Sequence, residues 1–289
     1  MGLQVALKHK THYLYQRPVS LGPQTIRLRP TPHCRTPIVS YSLDITPDCE
    51  ISWHFDQLAN HIARALFPGR TDNFRVEVNL IADLSPINAF GFLLDRDYED
   101  FPFTYSAELE HDLRPFLGVT QCGQLLPSLT SKLSRNPQPT VSFLVGLNAV
   151  VREEVQYVTR MESGVQSCEE TLRLGTGSCR DSAWLLVQIC RQLGIAARFV
   201  SGYLIQTSEA DESAVRSKLD SADLHAWTEV YVPGAGWVGM DPTSGLLSAA
   251  GHIPLASSST PSGAAPIMGT VEPAEVNFTH TLSVRRLIE

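Results

Sequence analysis

No run of about 18 consecutive apolar residues, the length a membrane-spanning helix needs, occurs in the 289 residues. The first residues, Met1-Gly2-Leu3-Gln4-Val5-Ala6-Leu7-Lys8, alternate and are broken by charge, unlike a secretory leader. Ala6 also stands where N-myristoylation requires Ser or Thr. Both observations argue against a membrane partner. Basic charge is short as well. The 23 Lys and Arg against 30 Asp and Glu give a net charge of -7, which argues against a nucleic-acid-binding surface. The six cysteines, at 34, 49, 122, 168, 179 and 190, include no CxxC pair and no metal-like cluster. In a chain this large without an export signal, they are expected as reduced thiols.

What remains is ordinary globular material, 43% hydrophobic and 18% charged, at a length that favours two domains. Residues 1–110 read as strands. Val39, Tyr41, Leu43 and Ile45 alternate with polar or small residues, as do Phe74, Val76, Val78 and Leu80. Ile51, Trp53 and Phe55 lead through Asp56-Gln57-Leu58-Ala59-Asn60 into a second run from Ile62, the pattern of a hairpin. This predicts an N-terminal antiparallel β-sandwich. His9, His12, His33, His54 and His61 are spaced unlike a metal site and are expected as surface or hydrogen-bonded strand residues. Residues 111–140 form a proline-punctuated connecting region; the looser pattern begins near Asp95 and suits one or two short helices.

From Val141 the period becomes helical, with Leu144, Leu147, Val151, Val155 and Val158 at threes and fours. Ser167-Cys168-Glu169-Glu170 fits a helix start and Gly175 a helix stop. A further helix runs from about Cys179 to Leu193-Gly194, with Cys190 on its apolar face. Strands are expected over 196–205, 225–232 and 237–241, with a polar, acidic loop over 206–223. The Ser-rich tail near 257–263 reads as loop, before a last strand over 275–284. Residues 141–289 therefore make a second unit, and the fold class is α+β.

One stretch of that unit invites chemistry. Gly175-Thr176-Gly177-Ser178-Cys179-Arg180-Asp181 places a cysteine at a helix N-terminus, where partial positive charge and unpaired N–H groups favour a thiolate. His225 opens a strand 46 residues later, and Asp241 closes another 16 residues beyond that. A thiol nucleophile, an imidazole base and a carboxylate that fixes the imidazole are the parts needed for acyl transfer through a thioester. Each residue alone has a plainer role: a packed thiol, a hydrogen-bonded histidine, a turn former before Pro242. Their order within one α+β segment favours Cys179, His225 and Asp241 as a triad, with the Cys179 N–H as one oxyanion donor. The second donor is not identifiable. A zinc site built from the same trio lacks a close ligand pair. Arg180 and Asp181 form a surface ion pair at the helix start, or fix the loop, or meet the substrate. Trp227, Tyr203 and Trp237 wall an acyl groove or belong to the core.

Gly177-Ser178-Cys179-Arg180-Asp181, Ser201-Gly202-Tyr203, Asp223-Leu224-His225-Ala226-Trp227 and Gly236-Trp237-Val238-Gly239-Met240-Asp241-Pro242-Thr243 resemble the core of bacterial transglutaminase-like proteins. His9-Lys10-Thr11-His12-Tyr13 with Gly22-Pro23-Gln24 and Arg27-Leu28-Arg29-Pro30 resembles the β-rich N-terminal region paired with such cores. The resemblance implies a papain-like core, a Cys179–His225–Asp241 triad, no cofactor and a cytoplasmic bacterial setting. It also implies a peptide or protein substrate and leaves room for a fused or co-acting domain linked to peptide-bond formation. One departure bears on the reaction. Animal transglutaminases place Trp after the nucleophile, whereas Arg180-Asp181 stand here, and no calcium loop is evident. Hydrolysis of an amide or peptide bond is therefore expected before amine transfer or silent binding of a peptide.

Overall fold

A computed structural model describes residues 3–121, 123–207 and 220–287. The N-terminal part is built on one long strand, β1 (Gln4–Ile26). Val5, Leu7, His9 and Thr11 are buried while their neighbours are not, the period of two that a strand with one covered face requires. β2 (Ile38–Thr46), β3 (Glu50–Phe55), β4 (His61–Leu66) and β5 (Arg70–Asp83) follow. β5 pairs antiparallel with β1 from Gln4↔Asp83 to Leu14↔Asn73, and β2 covers its far side. The register then slips between Leu14 and Val19, and the end of β1 joins β4 and, through it, β3. The hairpin turn between β3 and β4 uses the expected residues: Asp56 Oδ1 accepts from the Leu58 and Asn60 N–H groups, each at 2.9 Å.

The connecting region holds β6 (Asp100–Phe101), α1 (Ala107–Leu113) and α2 (Leu125–Lys132). β7 (Gln138–Pro139) pairs with β6 and runs into α3 (Thr140–Glu154), which buries Leu144, Leu147 and Val151 and ends before Val158. β8 (Gln156–Tyr157), α4 (Cys168–Leu174) and β9 (Thr176–Gly177) lead to α5 (Cys179–Gln192). Ser167 Oγ accepts from the Glu170 N–H at 3.1 Å to start α4. Gly175, at φ 63°, ends it in a conformation that disfavours a side chain.

α5 lies on an antiparallel sheet of β10 (Ala197–Gln206), β11 (Ser221–Val232), β12 (Gly236–Asp241), β13 (Leu246–Leu247) and β14 (His252–Ser258), ordered β13-β12-β11-β10-β14. Leu185, Leu186, Val187 and Ile189 of the helix are fully buried, each contributing roughly 1.5–3 kcal/mol. Thr228 Oγ1 donates to the Ala183 carbonyl at 2.8 Å and ties helix to sheet. Among the described residues no helix is long and apolar enough to cross a membrane.

Two strands then return to the N-terminal part. β15 (Ile267–Val271) and β16 (Val276–Arg286) both pair with β1, β16 from Val5↔Arg286 to Tyr15↔Val276. Residues that follow the core in sequence thus complete the first sheet. Residues 252–258, expected in part as loop, form β14, and 208–219 of the expected polar loop lie outside the described residues. The two parts share a hydrophobic cluster, in which Tyr203, Ile205, Ile253 and Leu255 join Leu7, Val78 and other N-terminal residues, and polar contacts cross it as well. His9 Nδ1 lies 2.9 Å from Tyr203 Oη, and Asn60 exchanges two 2.8 Å hydrogen bonds with the Ser257 backbone. That interface covers Ile253 and Leu255 of β14.

Candidate active site

Cys179 is the first residue of α5, after Ser178 in extended conformation. Its N–H is one of the four that a helix start leaves without an intrahelical acceptor. Gly177 must precede it, because a Cβ there would fall 2.9 Å from Asp181 Cβ. Asp181 resolves the alternatives left open for it. Only 1% exposed, it accepts from Ser178 N–H (2.8 Å), Ser178 Oγ (2.7 Å), Gln166 N–H (2.7 Å) and Arg160 Nε (2.9 Å). Burial opposes its ionisation, but the Arg160 guanidinium and these donors outweigh it and lower the pKa. Arg180 turns away from its neighbour and donates to the carbonyls of Arg160 (3.1 Å) and Glu162 (3.0 Å). Both residues therefore clamp the 160–166 loop beside the nucleophile. Arg160 carried no sequence signal.

His225 lies in β11, which begins at Ser221 rather than at the histidine, and Asp241 ends β12. Thr228 pairs with Met240, so the ladder brings Asp241 beside Trp227, two residues from His225. His225 Nε2 sits 3.1 Å from Asp241 Oδ2. That leaves Nδ1 as the ring nitrogen for the thiol, and Cys179 is the second hydrogen-bonding neighbour of this imidazole. Burial disfavours the imidazolium, but the hydrogen bonds and negative charge of Asp241 and Cys179 prevail and raise the His225 pKa to about 10. Burial would likewise raise Asp241; hydrogen bonds from His225, His252 and Thr243, with the His225 charge, hold it well below the usual carboxylate range. The three residues expected as a triad are thus brought together.

Trp227 and Tyr203 are fully buried core residues, whereas Trp237 is half-buried and stacks under the Arg198 guanidinium, 4.2 Å from the ring centre. The Trp227 indole passes over Gly202, where a Cβ would lie 2.5 Å from the ring. It runs nearly parallel to the His225 imidazole, at 26° and 6.4 Å between centroids. Tyr157, from β8, is half exposed; burial and the charge of Cys179 raise its phenol pKa.

Two residues around Asp241 escaped the sequence reading. Thr243 donates to Oδ1 from both N–H (2.9 Å) and Oγ1 (2.7 Å). His252 Nε2 approaches Oδ2 at 3.2 Å. The signal for His252 was the Ile253 and Leu255 alternation beside it, hidden by Pro254 and the serines that follow. The ligand atoms of His225, Asp241 and His252 lie within 4.8 Å of one another, close enough for a metal ion. Both imidazoles reach the same carboxylate oxygen and hydrogen-bond to it.

Comparison with known proteins covers both parts of the chain. Residues 127–242 match the transglutaminase-like superfamily core, and residues 5–83 match the bacterial transglutaminase-like N-terminal region. An uncharacterized protein of Mycobacterium leprae is 21% identical over 236 residues, 82% of this chain and 81% of that protein. The protein-glutamine gamma-glutamyltransferase of Pseudomonas aeruginosa is 35% identical over 68 residues, 24% of this chain but only 10% of that protein. A crystal structure of a candidate cysteine protease from Cytophaga hutchinsonii superposes with a TM-score of 0.73. The match covers 100% of this chain and 92% of that one at 20% identity, a likeness of fold.

Proposed function

We propose that this chain, which belongs to the transglutaminase-like superfamily, is a cysteine-dependent enzyme that cleaves amide bonds through a thioester on Cys179. The observation that carries this reading is His225 held between Cys179 and Asp241. With its proton already held by His225, Cys179 Sγ attacks the carbonyl carbon of the amide. The oxyanion that forms is met by the Cys179 N–H at the positive end of α5. As the C–N bond breaks, His225 returns the proton to the leaving amine, and the acyl group stays on sulfur. Water then attacks the thioester, giving its proton to His225; the acid leaves, and the Cys179 sulfur is freed beside the imidazolium. Asp241 supports the imidazolium throughout without itself taking a proton.

The substrate class proposed is a peptide or protein amide, with a fused or co-acting domain supplying or consuming it. A reducing, cytoplasmic setting suits the five described cysteines, all of which are unbridged. An assembled triad speaks against a silent binding module. Amine transfer is the second reading, favoured by the match to an enzyme named for glutamyl transfer. The two share the acyl-enzyme and differ in whether water or an amine reaches it. A peptide and isopeptide library, assayed with and without a fluorescent primary amine and with Cys179→Ala as control, tests the proposal. Cleavage lost in Cys179→Ala, without amine incorporation, is the expected result. Amine incorporation would replace hydrolysis by transfer, and full activity in Cys179→Ala would remove the covalent mechanism.

A further inference from the structure

His252 stands outside the triad yet shares its carboxylate. It comes from β14, which pairs with β10 through Leu204↔His252, so it reaches Asp241 from a strand that holds neither Cys179 nor His225. Its ring is fixed on three sides. The Ala249 N–H donates to Nδ1 at 3.3 Å, the edge of the ring meets Trp227 at 83° and 5.2 Å, and Nε2 faces Asp241 Oδ2 at 3.2 Å. The Ala249 bond decides the tautomer. A nitrogen that accepts from an amide carries no proton, so the neutral ring bears its proton on Nε2 and donates it to Asp241.

We propose that His252 is a positioning residue for the reaction described above: it pins Asp241 Oδ2 where His225 Nε2 needs it. Oδ1 is already held by two donors from Thr243. With only those bonds the carboxylate could swing about them and carry Oδ2 away from His225. The Nε2–H of His252 closes that freedom. Asp241 therefore accepts from two sides and presents one oxygen edge to the base. Trp227, packed against both imidazoles, keeps the two rings from moving independently.

This inference rests on the function proposed above, and the test separates the two. The full-length protein is treated with iodoacetamide at pH 7, and alkylation rates at each cysteine are followed by mass spectrometry. His252→Gln keeps a donor near the Nε2 position but loses the Ala249 contact. His252→Asn keeps an acceptor for Ala249 but cannot reach Asp241. His252→Phe keeps the packing on Trp227 and loses both bonds. The expected result is a roughly tenfold slower reaction at Cys179 in the Asn and Phe variants, with the Gln variant within about threefold of wild type. Melting temperatures are measured alongside, and a folded Asn variant must still show the loss. Rescue by Asn and not by Gln would make His252 a brace for the 249 loop and overturn the inference alone. Wild-type rates in all three variants would overturn it too. A wild-type Cys179 no faster than Cys49 would remove the proposed function and this inference together.

Discussion

His225 presents Nε2, and not Nδ1, to its carboxylate, at 3.1 Å from Asp241 Oδ2. In Ser-His-Asp sites the ring is used the other way round, with Nδ1 on the carboxylate and Nε2 on the nucleophile. The reversed orientation sets what each substitution around the site does.

Asp241→Asn is expected to lower kcat by at least about 100-fold. The carboxylate accepts on both oxygens: Oδ1 from Thr243 N–H and Oγ1, Oδ2 from His225 and His252. An amide has one oxygen, so one pair of donors must face an NH₂ group. Leaving a buried donor unsatisfied costs about 1–3 kcal/mol, so the melting temperature falls as well. Steady-state kinetics and thermal denaturation of the variant check both effects. An Asn variant with wild-type kcat would show that the carboxylate charge is not used.

The alkaline limb of the rate against pH is expected near 10, far above the range of a free imidazole. The imidazolium is the acid that protonates the leaving amine, so activity falls as His225 loses its proton. The same raised pKa contributes stability that is complete below about pH 6.5 and is lost as pH rises through about 10. A kcat/KM profile between pH 5 and 11 measures the limb, in buffers of matched ionic strength. A limb near 7 would mean that Asp241 and Cys179 do not hold the proton on His225.

Asp181→Ala is expected to cost about 3–5 kcal/mol and to slow modification of Cys179. The substitution takes from Arg160 its buried partner, leaving it Glu162 and the Gly164 carbonyl, and leaves the Gln166 and Ser178 donors without their acceptor. Chemical denaturation gives the first quantity and alkylation mapping the second. A variant as stable and as reactive as wild type would place the support of the nucleophile loop elsewhere.

Acid should loosen the join between the two parts of the chain. Burial, with the nearby His280 charge, lowers the His9 pKa to about 4. A histidine with a lowered folded pKa is neutral in the folded state, so stability is complete above about pH 6.5 and lost as pH falls from there toward 4. The shift corresponds to about 3 kcal/mol. Replacing His9 by Gln, which keeps a polar partner for Tyr203 and Thr11, should flatten unfolding free energy against pH in that interval. An unchanged slope would assign the acid sensitivity to other groups.

The proposed triad was legible because each member carries a local sign. Cys179 sits at a glycine-rich helix start, His225 in an alternating run, and Asp241 ahead of a proline at a strand end. Helix boundaries at Ser167, Gly175 and Gly194 were legible for the same reason, since capping is settled within one turn. What escaped is set by distant parts of the chain. β14 is buried along nearly its whole length, so the Ile253 and Leu255 alternation is too short to mark it, and Pro254 within it reads as a breaker. β16 pairs with β1 across more than 250 residues, a partnership that no local pattern can encode. Arg160 meets Asp181 across 21 residues of chain, and His252 meets Asp241 although β11 and β10 lie between their strands in the sheet. The residues of the proposed triad could be read from the sequence; those that hold them in place could not.

The most direct measurement is the relative rate at which iodoacetamide modifies each thiol at neutral pH, in wild type and in His225→Ala. Burial raises the thiol pKa of Cys34 to about 11, of Cys168 and Cys190 to about 12, and of Cys49 above its ordinary value. These four are the slow reference. Cys179, only 8% exposed, is expected to be modified at least about tenfold faster than any of them, and His225→Ala to remove the advantage. Cys179 reacting no faster than Cys49, or just as fast without His225, would contradict the proposed triad.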